Sequence, residues 1–191
     1  GACSTSTVTD SVTLSVNCSI PSLGTISSNA PTTICQGATA TYSIPANSNV
    51  QNYTWSVPSG ATIQSGQGTN TIQVLYTSIA SSGDVAVTRA NGCGSVISTL
   101  AITINTLPTV TSVTGPQTVC AGANNIIYTA TLIPNATSYI WTLPSGSTIT
   151  TATNTISISF GLNDVSGNLS VSGSNSCGLG SVSAAFPITI N

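Results

Sequence analysis

The sequence has no histidine or methionine, one lysine or arginine and three acidic residues among 191, for a net charge of -2. The cation is Arg89 and the acids are Asp10, Asp84 and Asp164. Polyanion binding needs clustered cations, so nucleic acid is excluded as a partner. General acid–base catalysis has only three scattered carboxylates to draw on. Without histidine or closely spaced cysteines there is no zinc-binding pattern. No His or Lys stands ready to activate one of the many hydroxyls as a nucleophile. The chain reads as non-enzymatic, with no cofactor. Apolar runs are a few residues long, far below the roughly 18 needed to suggest a spanning helix, so no membrane insertion is expected. Gly1-Ala2-Cys3 opens directly into strand-like sequence, without a signal-peptide pattern.

Charged residues make up only 2% of the chain, while the apolar fraction is 40%. Serine and threonine supply about a third of all residues, so the surface is hydrated through hydroxyls and amides. Few charges also leave few gatekeepers against edge-to-edge strand pairing. Six cysteines in a chain with so little catalytic inventory point to structural disulfides and an oxidising, extracellular compartment.

Internal repetition carries the most information. Cys35, Gly37, Tyr42, Tyr53, Trp55, Pro58, Gly60 and Ile63 recur as Cys120, Gly122, Tyr128, Tyr139, Trp141, Pro144, Gly146 and Ile149. Asn-Gly-Cys-Gly at Asn91 is echoed by Asn-Ser-Cys-Gly at Asn175, and Ile-Thr-Ile-Asn closes both units at Asn105 and Asn191. The period of about 85 residues suits a small β-sandwich. Residues 18–105 and 106–191 form the two full units. Residues 1–17 read as the closing strands of a truncated preceding repeat, with Cys3 matching Cys93 and Cys177. The segment is then one portion of a longer array.

Within each unit apolar residues alternate with period two between turn residues. Ile72, Val74 and Tyr76 share one face, as do Val85 and Val87, and Leu100, Ile102 and Ile104 line the closing strand. No helical stripe is present, and β-branched residues dominate. The expected architecture is all-β: tandem antiparallel sandwiches of about seven strands each with Greek-key connections. Trp55 and Trp141, with Tyr53 and Tyr139 at the same parity, are expected in the cores rather than on a sugar-stacking surface. Arg89 alternates with Val85 and Val87, so its stem is expected along apolar surface with its head in water. Asp84 and Asp164, beside turn glycines, suit turn capping better than calcium.

Cys-x-Gly, then Tyr-x-Trp-x-x-Pro-x-Gly, then Asn-x-Cys-Gly before a Thr/Val-rich closing strand resembles the PKD-like/Ig-like repeats of large bacterial surface adhesins. The resemblance covers essentially the whole chain. It implies cargo of the type IX secretion system, including gliding-motility adhesins, at the cell surface. Partners would be neighbouring repeats and a secretion or gliding apparatus. Asp10-Ser11-Val12 resembles the O-glycosylation sequon of bacteria that secrete such proteins, making Ser11 a candidate acceptor. Asn-x-Ser/Thr adds Asn17, Asn52, Asn135 and Asn168.

Two disulfide schemes are open. Repeat symmetry gives Cys35–Cys93 and Cys120–Cys177 within units. In an Ig-like sandwich, however, those turns lie at opposite poles, roughly 17–20 Å apart, and a disulfide needs Cα atoms within about 7 Å. In a linear string the pole of one unit meets the next, pairing Cys35 with Cys177 and Cys18 with Cys93. Cys3 and Cys120 then point to units outside this segment.

These features favour a structural repeat of a surface adhesin or filament that projects adhesive regions from the cell. A self-assembling fibre subunit, with Val8–Asn17 donating a strand, and a glycan-binding module are the alternatives.

Overall fold

The computed structural model describes residues 18–110 and 112–191. The first unit holds β1 (Ser27–Ser28), β2 (Thr33–Cys35), β3 (Thr39–Ser43), β4 (Asn52–Ser56), β5 (Ala61–Ser65), β6 (Thr71–Tyr76), β7 (Gly83–Asn91) and β8 (Gly94–Asn105). The second holds β9 (Val113–Thr114), β10 (Thr118–Val119), β11 (Ile126–Ala130), β12 (Ser138–Thr142), β13 (Thr148–Thr151), β14 (Thr155–Ile158), β15 (Gly167–Asn175), β16 (Gly178–Val182) and β17 (Phe186–Ile190). The described residues contain strands but no helix, so no helix is available to cross a membrane.

The all-β, Ig-like fold is as the alternation required, with two corrections. Each unit splits its opening strand in two, and the second also breaks its closing strand, so the counts are eight and nine rather than about seven. The sheets are also mixed rather than antiparallel throughout. β2 runs parallel to β8, with Cys35 opposite Asn105, and β10 runs parallel to β17. The opening strand crosses from one sheet to the other partway along, and its second half can lie beside the closing strand only in parallel.

One sheet of the first unit has the order β1-β3-β6-β5 and the other β2-β8-β7-β4. Between them lie Ile26, Ile34, Tyr42, Ile44, Trp55, Ile72, Val74, Tyr76, Val85, Val87 and Ile102, all at most 5% exposed. The second core is built around Trp141, Tyr128, Leu169, Val171 and Ile188. This spacing of inward residues, alternating along each strand, is the period-two signal made physical.

The units differ in one strand. In the first, β5 pairs with β6 and leaves the outer edge of β4 without a strand. In the second, β13 pairs instead with β12, placing Tyr139 opposite Thr151 and Trp141 opposite Ile149. The sequence between these strands explains the choice. The first unit has two more residues there and carries Gln67 between Gly66 and Gly68. Gln67 turns its amide onto the bare β4 edge: Oε1 accepts from Trp55 N at 3.0 Å, and Nε2 donates to Trp55 O at 3.0 Å. A side-chain amide thus satisfies the two groups a neighbouring strand would take. Gln67→Ala is expected to cost about 1–3 kcal/mol, because both part-buried backbone groups lose their partner. It should also promote concentration-dependent association through the uncapped edge, measurable by urea unfolding and sedimentation.

Two phenols meet in the first core, Tyr42 Oη to Tyr76 Oη at 2.8 Å, both residues 0% exposed. Burial raises the pKa of both. For Tyr76 the hydrogen bond to Tyr42 raises it further. An unfolded tyrosine ionises near pH 10, whereas the folded pair keeps its protons. Above that pH the unfolded chain binds fewer protons than the native one, so stability falls as pH rises from about 10. The tyrosinate absorbance of Tyr42 and Tyr76 should therefore appear only as the first unit unfolds in alkali.

Candidate functional site: the junction between the units

The two units meet through a pair of turns. On one side β2 ends in Cys35-Gln36-Gly37, where Gly37 has φ +84°, a left-handed conformation that glycine adopts without a Cβ penalty. Ala38 N closes the turn on Cys35 O at 3.2 Å, and Gly37 N donates to Tyr76 O. On the other side, Asn175-Ser176-Cys177-Gly178 links β15 to β16. Asn175 Oδ1 accepts from Cys177 N at 2.8 Å and holds the turn.

Cys35 is bonded to Cys177, with a Cα–Cα distance of 5.5 Å and a sequence separation of 142. Cys18 is bonded to Cys93, also at 5.5 Å. These are the pairs of the second scheme, and Cys35–Cys93 and Cys120–Cys177 are not formed; of the two bonds, Cys35–Cys177 joins the units, while Cys18 ties the entrance of the first unit to its own Cys93 turn. Cys120 is an exposed free thiol, and Cys3 lies outside the described residues.

The asparagines flanking the bonded turns are the parts of the junction that spacing alone did not disclose. Asn175 Nδ2 donates to Thr106 O at 2.8 Å, tying the turn to the chain entering the second unit. Asn105 Nδ2 donates to Ser176 Oγ at 3.2 Å, and Asn135 Nδ2 donates to Thr106 O at 2.7 Å. The first unit repeats the device at its own entrance. Asn91 Oδ1 accepts from Cys93 N at 2.9 Å, Asn91 Nδ2 donates to Ser19 O at 2.8 Å, and Asn49 Nδ2 donates to Ser19 O at 2.9 Å. The echo of Asn-x-Cys-Gly was visible in the sequence; that the Asn both braces the turn and grips the incoming linker was not. A cavity of about 520 Å³ remains beside the bridge, walled by Gln36, Ser78, Leu107 and Thr109 among others.

The remaining expected positions sort as follows. Trp55 and Trp141 are 3% and 0% exposed. Their indole Nε1 groups donate to Thr69 O at 2.8 Å and Thr151 Oγ1 at 3.1 Å. Tyr139 is buried and Tyr53 half-buried. Their hydroxyls accept from Ile133 N and Asn47 N, each at the corresponding loop. Every large apolar side chain exposed among the described residues is aliphatic, which leaves no aromatic platform for a sugar ring there. Asn52 and Asn168 are exposed, whereas the Asn135 amide is committed to Thr106. Ser11 and Asn17 lie outside the described residues.

Two expectations need correcting. Arg89 does not put its head in water. It is 2% exposed, and Nε and Nη2 are buried without a hydrogen-bond partner. Asp84 caps no turn; it sits within β7 opposite Ala101. Asp164 does cap one, Oδ2 accepting from Gly161 N at 2.8 Å. Among the described residues no cluster of three His, Cys, Asp or Glu could hold a metal.

A family model described as a PKD-like domain matches residues 19–104 and again residues 106–188. The chain belongs to the PKD-like domain family. A comparison with curated proteins finds no match. Among solved structures, the titin I-band fragment I67–I69 is similar with a TM-score of 0.54 at 11% identity, over 83% of this chain and 62% of that one. Titin domains A168–A170 give 0.54 at 13% identity, over 88% and 67%. This chain thus spans less than two thirds of the first titin fragment. At such identities the likeness is one of fold: consecutive Ig-like domains in a row. The tandem PKD-like units are structural modules, and their disulfides fit an extracellular or surface setting.

Proposed function

We propose that these PKD-like units are a spacer segment of a large secreted bacterial surface adhesin or filament, of the gliding-motility type carried by type IX secretion. The segment holds adhesive regions away from the cell. The observation that carries this reading is the Cys35–Cys177 bridge across the junction. A disulfide placed between domains, rather than inside one, fixes one domain on the next. The hydrogen bonds Asn105 makes across the junction, to Ser176 Oγ and from Asn175 Nδ2, serve the same end. A hydroxylated surface with little charge keeps such a rod hydrated without salt-dependent contacts.

Cys120 extends the reading. It occupies in the second unit the place Cys35 holds in the first, before Gly122 at φ +78° and with Ala123 N closing on Cys120 O at 3.1 Å. In an array its partner is the Asn-x-Cys-Gly cysteine of a further repeat. Non-reducing peptide mapping of the protein from its native surface, with intact mass before and after reduction, tests both points. A polypeptide far larger than 19.0 kDa, with Cys120 joined to such a cysteine, is expected. A native chain near that mass with Cys120 unpaired would favour a fibre subunit instead.

A further inference from the structure

Arg89 is the only lysine or arginine in the chain, and it is buried with Nε and Nη2 unpartnered. Its guanidinium forms no hydrogen bond or ion pair with any described residue. Taking a guanidinium out of water costs several kcal/mol unless an opposite charge or acceptors replace the lost hydration. Nε and Nη2 form one edge of the guanidinium, with two parallel N–H groups that match the two oxygens of a carboxylate.

The surroundings are built to receive something. Arg89 lines a cavity of about 340 Å³ together with Ser22, Leu23, Gly24, Asn47 and Ser48. Gly24 stands so close that a Cβ there would lie 3.0 Å from Nη1 and 3.1 Å from Nη2. Nε and Nη2 are closed off from solvent, so a ligand reaches them by displacing the cavity wall, which Ser22–Gly24 on one side and the Pro45–Ser48 loop on the other provide. Asn47 and Ser22 are joined through Asn47 Nδ2 to Ser22 Oγ at 2.9 Å, giving the mouth a polar rim.

The second unit supplies the control. Its counterpart of Arg89 is Gly173, and its counterpart of Asn47 is Ile133. A Cβ on Gly173 would lie 2.7 Å from Pro108 Cβ and 3.0 Å from Ile133 Cδ1, so that end is filled by apolar packing. The backbone role of the loop is unchanged, since Asn47 N and Ile133 N each donate to the neighbouring tyrosine hydroxyl. The same loop is therefore apolar and closed in one unit, and polar with a buried cation in the other.

We propose that Arg89 and its cavity form a carboxylate-binding site confined to the first unit. The carboxylate belongs either to an acidic sugar or to an acidic side chain of a neighbouring chain; both present the same two oxygens. Because the chain has one arginine, its Nε–H gives a single arginine side-chain peak in a 1H–15N spectrum, which needs no assignment. The experiment titrates the full chain with sodium acetate and with sodium glucuronate, each against sodium chloride at equal ionic strength.

A saturable shift of that peak with a carboxylate, absent with chloride, is expected, together with a rise in the first unit's thermal midpoint. Arg89→Met should abolish the midpoint rise. Arg89→Lys, which keeps the charge but loses the paired N–H edge, should weaken binding tenfold or more. It also serves as the control if Arg89→Met fails to fold. A response to glucuronate alone assigns the site to acidic sugars, and a response to both assigns it to any accessible carboxylate. No saturable shift with either acid, or an equal shift with chloride, overturns the proposal.

Discussion

Cys177→Ser is expected to lower stability by up to about 5 kcal/mol, since the bridge it removes closes 142 residues of sequence and the entropy of that loop returns to the unfolded chain. The loss should be visible as a lower guanidinium midpoint and should be reproduced by Cys35→Ser. The two variants should not add, because each breaks the same bond. The native structure changes in a second way. With the bridge gone, the junction keeps the Asn105–Ser176 and Asn175–Asn105 hydrogen bonds between the units and the Asn175 and Asn135 bonds to Thr106. Small-angle scattering of Cys177→Ser should show a wider spread of distances between the units than the parent shows. An unchanged midpoint together with unchanged scattering would mean that the bridge contributes neither stability nor stiffness.

Trp141→Ala should cost about 3–5 kcal/mol, the range for deleting a fully buried tryptophan. Trp141 is 0% exposed, and its Nε1 hydrogen bond to Thr151 Oγ1 helps hold β13 on β12. The loss should fall on the second unit. With one tryptophan per unit, Trp55 becomes the sole indole reporter in this variant and should still show a cooperative transition near the parent's. Trp55→Ala gives the mirror experiment. If Trp141→Ala shifted the Trp55 transition as strongly as the total, the units would fold as one cooperative block.

The all-β class, the repeat and the two cores were legible because alternation is a local signal. Ile72, Val74, Tyr76, Val85 and Val87 sit where their parity put them. Strand length spoke against joining Cys35 to Cys93, yet the sequence left that scheme open beside the one joining Cys35 to Cys177, which is the bond that forms. Parity also placed Arg89 on the inner face, but a charged head at such a position is ordinarily assumed to reach solvent. Only the tertiary fit of Gly24 and the Asn47 loop encloses it. The choice between β5 on β6 and β13 on β12 was not legible either. Both segments are short and share a Thr-Ile pair, Thr62-Ile63 and Thr148-Ile149, and the outcome turns on whether Gln67 is there to serve the competing edge. The parallel β2–β8 pairing depends on a crossing between sheets that no local pattern announces.

The bond between Cys35 and Cys177 also redraws the shortest route that tension can take through the protein. Without it, a pull applied at Cys18 and Asn191 passes through the Cys18–Cys93 bridge and acts on a line of about 100 residues, with a contour length of roughly 340 Å once the second sandwich and the end of the first are torn open. With it, the continuous covalent line runs from Cys18 to Cys35, across the two sulfurs, and from Cys177 to Asn191. That line holds only about 33 residues and goes taut at roughly 110 Å. Most of β3 through β15 hangs off it as a slack side loop that an end-to-end pull cannot unravel. The pair of domains is therefore a tether with a built-in stop, whose reach under load is set by where two cysteines fall rather than by how strongly its sheets hold.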